Sequence, residues 1–225
     1  MRFDLILFDL DGTLIDSVGE IAVATNAALV QRGFAPASVQ QVRDWVGYGA
    51  RETMVRALAH VSGRARGALR AAPAEIDAAL ADFAAAYNVA DETAQRVFPG
   101  VVPALDALKA GGMKLALVTN KEQALTDRVL PLCRLDRYFD PVLGGDALPK
   151  RKPDPYPVHY CLEKLGVPAA SALFVGDSPV DVATARAAGV ACWAVPWGYS
   201  AGRPIAEQHP DRILSAYSDL LDALH

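Results

Sequence analysis

FDLILFDLDGT, residues 3–13, opens on a short apolar run and stops at a cluster of acids. The run 3–8 reads as a short strand covered on both faces, and DLDGT reads as the loop at its carboxyl end. Asp9 and Asp11 stand two residues apart at that end, so both carboxylates can point into one site. There one can serve as nucleophile and the other as general acid/base. An Asp-x-Asp pair alone is common in acidic loops; after an apolar strand and before Gly12-Thr13 it carries much more information.

The same strand-then-polar pattern returns further along. After Phe98-Pro99-Gly100, a helix over 102–110 ends at Gly111-Gly112. MKLALVTN (113–120) then reads as a second buried strand with a polar end. The spacing next predicts a helix over 122–132, a short strand at 141–143 and a helix over 155–165. ALFVGD (172–177) is a third buried strand ending in an acid. A helix over 179–188 stops at Gly189, VACWAV (190–195) is a fourth strand, and a last helix fills 215–224. Strands of continuous hydrophobicity alternating with helices predict an α/β fold, a Rossmann-like parallel sheet with helices on both faces. Ligands of such sheets bind beyond the carboxyl ends of the strands, where DLDGT, TN and GD would gather.

Between the first strand and residue 90 the pattern is helical. Ser17 and Glu20 have capping-box spacing, so a helix is expected from about Ser17 to Gln31, ending at Gly33. Further helices are expected over 38–45, 49–62 and 74–89, with Pro73 suited to a first turn. Residues 62–72, with Gly63, Gly67, Arg64, Arg66 and Arg70, read as a solvated loop. The block is inserted after the first strand, which predicts a small α-helical cap over 16–94 on a core of 1–15 and 95–225, acting as a lid.

Composition excludes several classes. Hydrophobic residues make up 52% and charged residues 21% of the 225, an ordinary globular balance and not that of a disordered chain. A net charge of −4 lacks the basic excess of a duplex-binding protein, so nucleic acid is not expected as a partner. Cys133, Cys161 and Cys192 are odd in number and far apart, which argues for buried thiols in a reducing compartment rather than disulfides or zinc. No stretch reads as a secretory signal or membrane span, so the protein is expected in the cytoplasm, without a membrane.

Asp177 and Asp181 are four residues apart at a strand-to-helix junction and share a face of the first turn. With Asp9 they form an oxygen set suited to a hard dication such as Mg²⁺. Thr119 and Asn120 end the second strand, where hydroxyl, amide and backbone N–H groups suit a phosphate oxygen. Lys152, in PKRKPDP, supplies the cation that carboxylates plus phosphate require; Lys150 and Arg151 are its rivals. His60, His159, His209 and His225 are scattered and no GxSxG is present, which excludes a Ser–His–Asp hydrolase. There is no Walker A motif, and Gly47-Tyr48-Gly49 lacks the third glycine and preceding strand of a dinucleotide fingerprint.

With these residues in place, nearly the whole chain resembles the haloacid dehalogenase-like hydrolase superfamily. DLDGTLID (9–16) is similar to its first motif, VTN (118–120) to its second, Lys152 in KPDP to its third and GDSPVD (176–181) to its fourth. The helical insert resembles the superfamily's small α-helical cap. WVGYGARETMVRAL (45–58), FPGV (98–101), GGDALPKRKPDP (144–155) and WGYS (197–200) resemble the phosphoglycolate phosphatases.

The resemblance implies Asp9 as nucleophile and Mg²⁺ ligand, and Asp11 as acid/base with its backbone carbonyl on the metal. It implies Thr119 and Lys152 as phosphoryl holders, with Asn120 beside them, Asp177 as a metal ligand, and Asp181 supporting the metal directly or through water. Arg51 is the candidate grip for a substrate carboxylate. The expected reaction is Mg²⁺-dependent hydrolysis of a small phosphorylated substrate, 2-phosphoglycolate first, through an aspartyl phosphate, by a monomer or homodimer.

A related phosphatase for a sugar phosphate, a nucleotide or pyrophosphate would share the core and differ around residues 47–51 and 197–203. A phosphomutase would need a second phosphate grip in the cap. A dehalogenase would have no use for Asp11 or Mg²⁺, and a non-catalytic phospholigand binder would have lost Asp9, Asp11 or Lys152.

Overall fold

The apolar N-terminal run forms β1 (Leu5–Phe8), whose four residues are all buried. In the computed structural model, which describes residues 3–70, 72–89 and 96–222, a two-residue strand β2 (Ile15–Asp16) follows. Then come the helices α1 (Val18–Gln31), α2 (Val39–Trp45), α3 (Ala50–Ser62), α4 (Arg66–Arg70) and α5 (Pro73–Val89). The chain returns through β3 (Arg96–Val97) and continues with α6 (Val101–Ala110), β4 (Lys114–Val118), α7 (Gln123–Leu132), β5 (Val142–Leu143) and α8 (Tyr156–Leu165). It ends with β6 (Ala172–Gly176), α9 (Pro179–Ala188), β7 (Ala191–Ala194), β8 (Arg212–Ile213) and α10 (Ser218–Asp222). Two units separate, Met1–Asp16 with Arg96–His225, and Ser17–Gln95.

In the first unit six parallel strands lie in the order β5-β4-β1-β6-β7-β8. The strand period of two sends Ile6 and Phe8 to one face, with Val101, Leu105 and Leu108 of α6, and Leu5 and Leu7 to the other, with Val158 and Cys161 of α8 and Val182 and Ala185 of α9. Both faces are therefore dry, which is why the strands read as continuous apolar runs. β1 is central, and the sequence after it departs toward β2 while β4 and β6 flank it. β2 and β3 form a separate antiparallel ribbon, with Ile15 opposite Val97 and Asp16 opposite Arg96. That pairing is why Asp16 belongs to the first unit; the other expected boundary, at 94/95, lies outside the described residues.

The second unit is helical, with α1 packed on α5. Its helices begin and end within a residue of the sequence reading. Two local expectations change. Ser17 precedes α1 but its side chain makes no cap; Glu20 instead turns inward, 3% exposed, and accepts a hydrogen bond from the Tyr87 hydroxyl at 3.3 Å. The stretch 62–72, expected as loop, contains α4, because Leu69 is fully buried and draws the chain into a turn. In the first unit the last helix starts at Ser218 rather than 215, since the Asp219 carboxylate accepts from the Ser215 and Ala216 amides. Its expected end at 224 lies outside the described residues. Strands β2, β3 and β8 have two residues each, too short to leave a periodic signal.

Candidate active site

Register builds the site. Phe8 pairs with Leu117 on one side and Val175 on the other. One residue further on, the Asp9 amide donates to the Val175 carbonyl at 3.0 Å. The polar ends of β1, β4 and β6 are thus brought side by side beyond their carboxyl ends.

Lys152 stands at the centre of the resulting charge cluster. Its ammonium donates to Asp9 Oδ1 at 2.8 Å and to Asp181 Oδ1 at 2.7 Å, and it lies over the Phe174 ring. Its rivals Lys150 and Arg151 are exposed, whereas Lys152 is buried. Burial works against the ammonium, but Asp181 and Asp9 outweigh it and hold its pKa above the ordinary lysine value. The Asn120 side-chain amide donates to the Lys152 carbonyl at 3.0 Å, so a residue expected to face phosphate fixes the backbone that carries the cation.

Asp177 is held by two donors from distant segments. Thr13 Oγ1 donates to its Oδ1 at 2.8 Å and the Tyr199 amide to its Oδ2 at 2.5 Å. Space there is fully used: a Cβ on Gly12, at φ +86°, or on Gly198 would collide with the Asp177 carboxylate. Asp181 closes a capping box with Ser178 at the start of α9, its Oδ2 accepting from Ser178 Oγ at 2.7 Å and from the Ser178 and Asp177 amides at 3.0 and 3.2 Å. The helix-start role and the site role thus use different oxygens of one carboxylate.

Carboxylate oxygens of Asp9, Asp177 and Asp181 lie within 4.8 Å of one another, all buried. Burial, only partly opposed by Lys152 and added to by Asp181, pushes the Asp9 carboxyl up to about 6. Burial, with Asp181 and Asp9 nearby, pushes Asp177 well above the usual carboxylate range. Such a cluster is short of positive charge. Its donors are all oxygens, and a carboxylate has roughly four lone-pair directions, so the bonds above leave room for a ligand. The set fits a hard dication such as Mg²⁺.

A second cation completes the site. Lys121 is 4% exposed at its side chain, and its ammonium lies 3.2 and 3.4 Å from the two Asp11 oxygens. Sequence reasoning passed over it, although it directly follows Thr119-Asn120 and the strand-end logic applies equally to it. Thr119 and Asn120 follow β4 directly. α7 begins only at Gln123; the Thr119 amide is used by β5 through the Leu143 carbonyl at 2.9 Å, and Thr119 Oγ1 accepts from the Lys121 amide at 3.2 Å. Thr13, Ser178 and Tyr199 were likewise not singled out as site residues.

Arg51 belongs to the other unit. It lies in the first turn of α3, where its guanidinium pairs with Asp77 at the surface. Arg64 and Arg70, read as solvated, pair with Glu75 and Glu52.

Known proteins share this arrangement of the chain. Residues 6–195 match the family model for haloacid dehalogenase-like hydrolases. The chain is 43% identical over 221 residues to phosphoglycolate phosphatase 1 of Pseudomonas aeruginosa, covering 96% of this chain and 78% of that protein. To the phosphoglycolate phosphatase of Vibrio parahaemolyticus it is 38% identical over 223 residues, covering 98% and 95%. The crystal structure of a predicted phosphoglycolate phosphatase from Haemophilus somnus superposes with a TM-score of 0.91 at 35% identity, covering 100% of this chain and 99% of that one.

Proposed function

The chain belongs to the haloacid dehalogenase-like hydrolases, within them to the phosphoglycolate phosphatase family, and we propose that this phosphatase hydrolyses 2-phosphoglycolate to glycolate and phosphate with Mg²⁺. What supports the reading most is the buried convergence of Asp9, Asp177, Asp181 and Lys152 at the ends of adjacent strands. Burying this many acids has no structural use that a smaller, apolar set would not serve better.

Asp9 and Asp177 would hold the ion, with the Asp11 backbone carbonyl as a further ligand and Asp181 contacting it directly or through water. Bound there, Mg²⁺ would offset the repulsion between the carboxylates and the phosphate dianion. Phosphoryl transfer depends on in-line placement and charge neutralisation more than on bond-making groups. An Asp9 oxygen attacks phosphorus while the bond from phosphorus to the glycolate oxygen breaks. Asp11 gives that oxygen a proton, leaving glycolate and an aspartyl phosphate. Asp11, now a carboxylate, takes a proton from water as the water attacks phosphorus, and Asp9 leaves with its oxygens intact. Lys152 and Thr119 hold the transferring phosphoryl, and Lys121 keeps the Asp11 side chain in place.

The helical unit is proposed to act as the cap. Arg51 is assigned there to the carboxylate that distinguishes 2-phosphoglycolate from simpler esters. Among the described residues no helix is long and apolar enough to cross a membrane.

The test is phosphate release from 2-phosphoglycolate, sugar phosphates, nucleoside monophosphates and pyrophosphate, with Mg²⁺ and with chelator. A lead of about 100-fold in kcat/KM for 2-phosphoglycolate, or roughly 2.7 kcal/mol of differential transition-state binding, is expected. A different leading substrate would overturn the substrate assignment, and full activity in chelator would overturn the metal.

A further inference from the structure

Tyr199 ties together three points that are far apart in sequence. Its backbone amide donates to Asp177 Oδ2 at 2.5 Å. Its ring packs so closely on Gly12 that a Cβ there would strike it. Its hydroxyl donates to Asp16 Oδ1 at 2.7 Å, and Asp16 is the last residue of the first unit before the chain enters the helical one. Tyr199 is 1% exposed, and its bond to the half-buried Asp16 is part-buried.

Asp16 sits in the β2–β3 ribbon through which the chain crosses in both directions. Two paired residues per strand are too few to hold a ribbon together without support. The supports all lead back to the ion-facing side of the site. The Phe98 amide donates to the Leu14 carbonyl at 3.0 Å and the Gly12 amide to the Ile15 carbonyl at 2.8 Å. The Tyr217 hydroxyl donates to the Thr13 carbonyl at 2.8 Å, and Thr13 Oγ1 to Asp177. Trp197 fills the space between Phe98 and Tyr217, at 5.9 and 5.7 Å between ring centroids. Thr13 grips Asp177 from the loop just before the ribbon, and the Tyr199 hydroxyl is the side-chain bond that runs from the other gripping residue to Asp16 in the crossing strand.

We propose that the Tyr199 hydroxyl is a positioning group that couples the Asp177 carboxylate to the interunit ribbon, so that an ion held by Asp177 stiffens the ribbon. Coupling of this kind is reciprocal: an ion that favours one arrangement of Asp177 favours the ribbon arrangement bonded to it. The inference rests on the proposed reading for the ion at Asp177.

Amide hydrogen exchange at Phe98, whose amide bonds the Leu14 carbonyl beside the ribbon, tests it, with and without Mg²⁺, in the wild type, Tyr199→Phe and Asp16→Asn. Phe keeps the ring and the backbone amide on Asp177; Asn keeps an oxygen acceptor for the hydroxyl. Mg²⁺ is expected to slow exchange at that amide by about tenfold in the wild type and in Asp16→Asn, and by less than about twofold in Tyr199→Phe, the linkage that a hydrogen bond of this strength can carry. Equal protection in Tyr199→Phe, or none in the wild type, would overturn the coupling. Phosphate release measured on the same samples separates the two ideas. Protection without hydrolysis removes the phosphatase reading alone, and hydrolysis with equal protection removes the coupling alone.

Discussion

Lys152 and Arg51 are both cations paired with aspartates, and their surroundings differ completely. Lys152 has 2% of its side chain exposed and is shared by Asp9 and Asp181 at the strand ends. Arg51 has 45% exposed and pairs with one aspartate on the helical unit, as Arg64 does with a glutamate. Glu52, between Arg70 and Arg56, shows the middle case: burial pushes its pKa up, and the two guanidiniums outweigh that and hold it below the usual range. Surface pairs of this kind are worth about 0–1 kcal/mol and need no further explanation. A buried excess of acids is destabilising unless something balances it, so its presence points to chemistry. The ion pairs of the helical unit therefore read as scaffold, and the sheet unit as the place where charge is stored for use.

The largest effect expected from this contrast is at Asp9. Asp9→Asn should lower kcat by about 1,000-fold or more while far-ultraviolet circular dichroism stays unchanged, since the amide is isosteric and cannot be phosphorylated. Lys152→Met should follow, with activity down about 100-fold or more. Denaturant unfolding should show a loss of about 3 kcal/mol, because Asp9 and Asp181 are left buried without their cation. Arg51→Ala should change unfolding by less than about 1 kcal/mol. A loss there as large as that of Lys152→Met would break the comparison.

The acid excess also has a signature of opposite sign. Asp9 titrates near 6 in the fold against 3.8 for an ordinary aspartate. Between those values the native state binds more protons than the unfolded one, so this group's contribution to stability falls as pH rises from about 4 through about 6. Metal-free Asp9→Asn should therefore melt a few degrees above metal-free wild type at pH 7.5, with the gap closing as pH falls from about 6 to about 4. Mg²⁺ should raise the wild type toward it.

Smaller changes sharpen the picture. Lys121→Met should reduce kcat about tenfold, since Asp11 keeps its place in the loop but loses the Lys121 ammonium beside its carboxylate. Arg51→Ala should raise KM for 2-phosphoglycolate by about tenfold and leave a phosphate ester without a carboxylate unchanged within about twofold. Equal changes for both esters would remove Arg51 from substrate recognition.

Much of this was legible in the sequence. Four buried strands announce themselves because sheet strands covered on both faces must be continuously apolar, and the acids at their ends stand out against that background. What was not legible depends on contacts between distant segments. Lys152 stood out in KPDP, but no letters singled out Lys121; only the fold shows that it faces Asp11, as Lys152 faces Asp9 and Asp181. Thr13 and Tyr199 look like ordinary loop residues until Asp177 is placed between them. Ser17 and Glu20 have the letters of a capping box, yet burial of Glu20 against Tyr87 overrides it, whereas Ser178 and Asp181 form one that was read only as part of a catalytic motif. The two-residue strands β2, β3 and β8 are set by pairing partners alone.

The most direct measurement is acid quenching of the enzyme within its first turnover on radiolabelled 2-phosphoglycolate, followed by peptide mapping. With Mg²⁺, label should appear on the peptide containing Asp9, decay as phosphate is released, and be absent in chelator and in Asp9→Asn. Release of phosphate from the wild type with no label on that peptide, or undiminished turnover by Asp9→Asn, would contradict the assignment of Asp9 as the group that takes the phosphoryl.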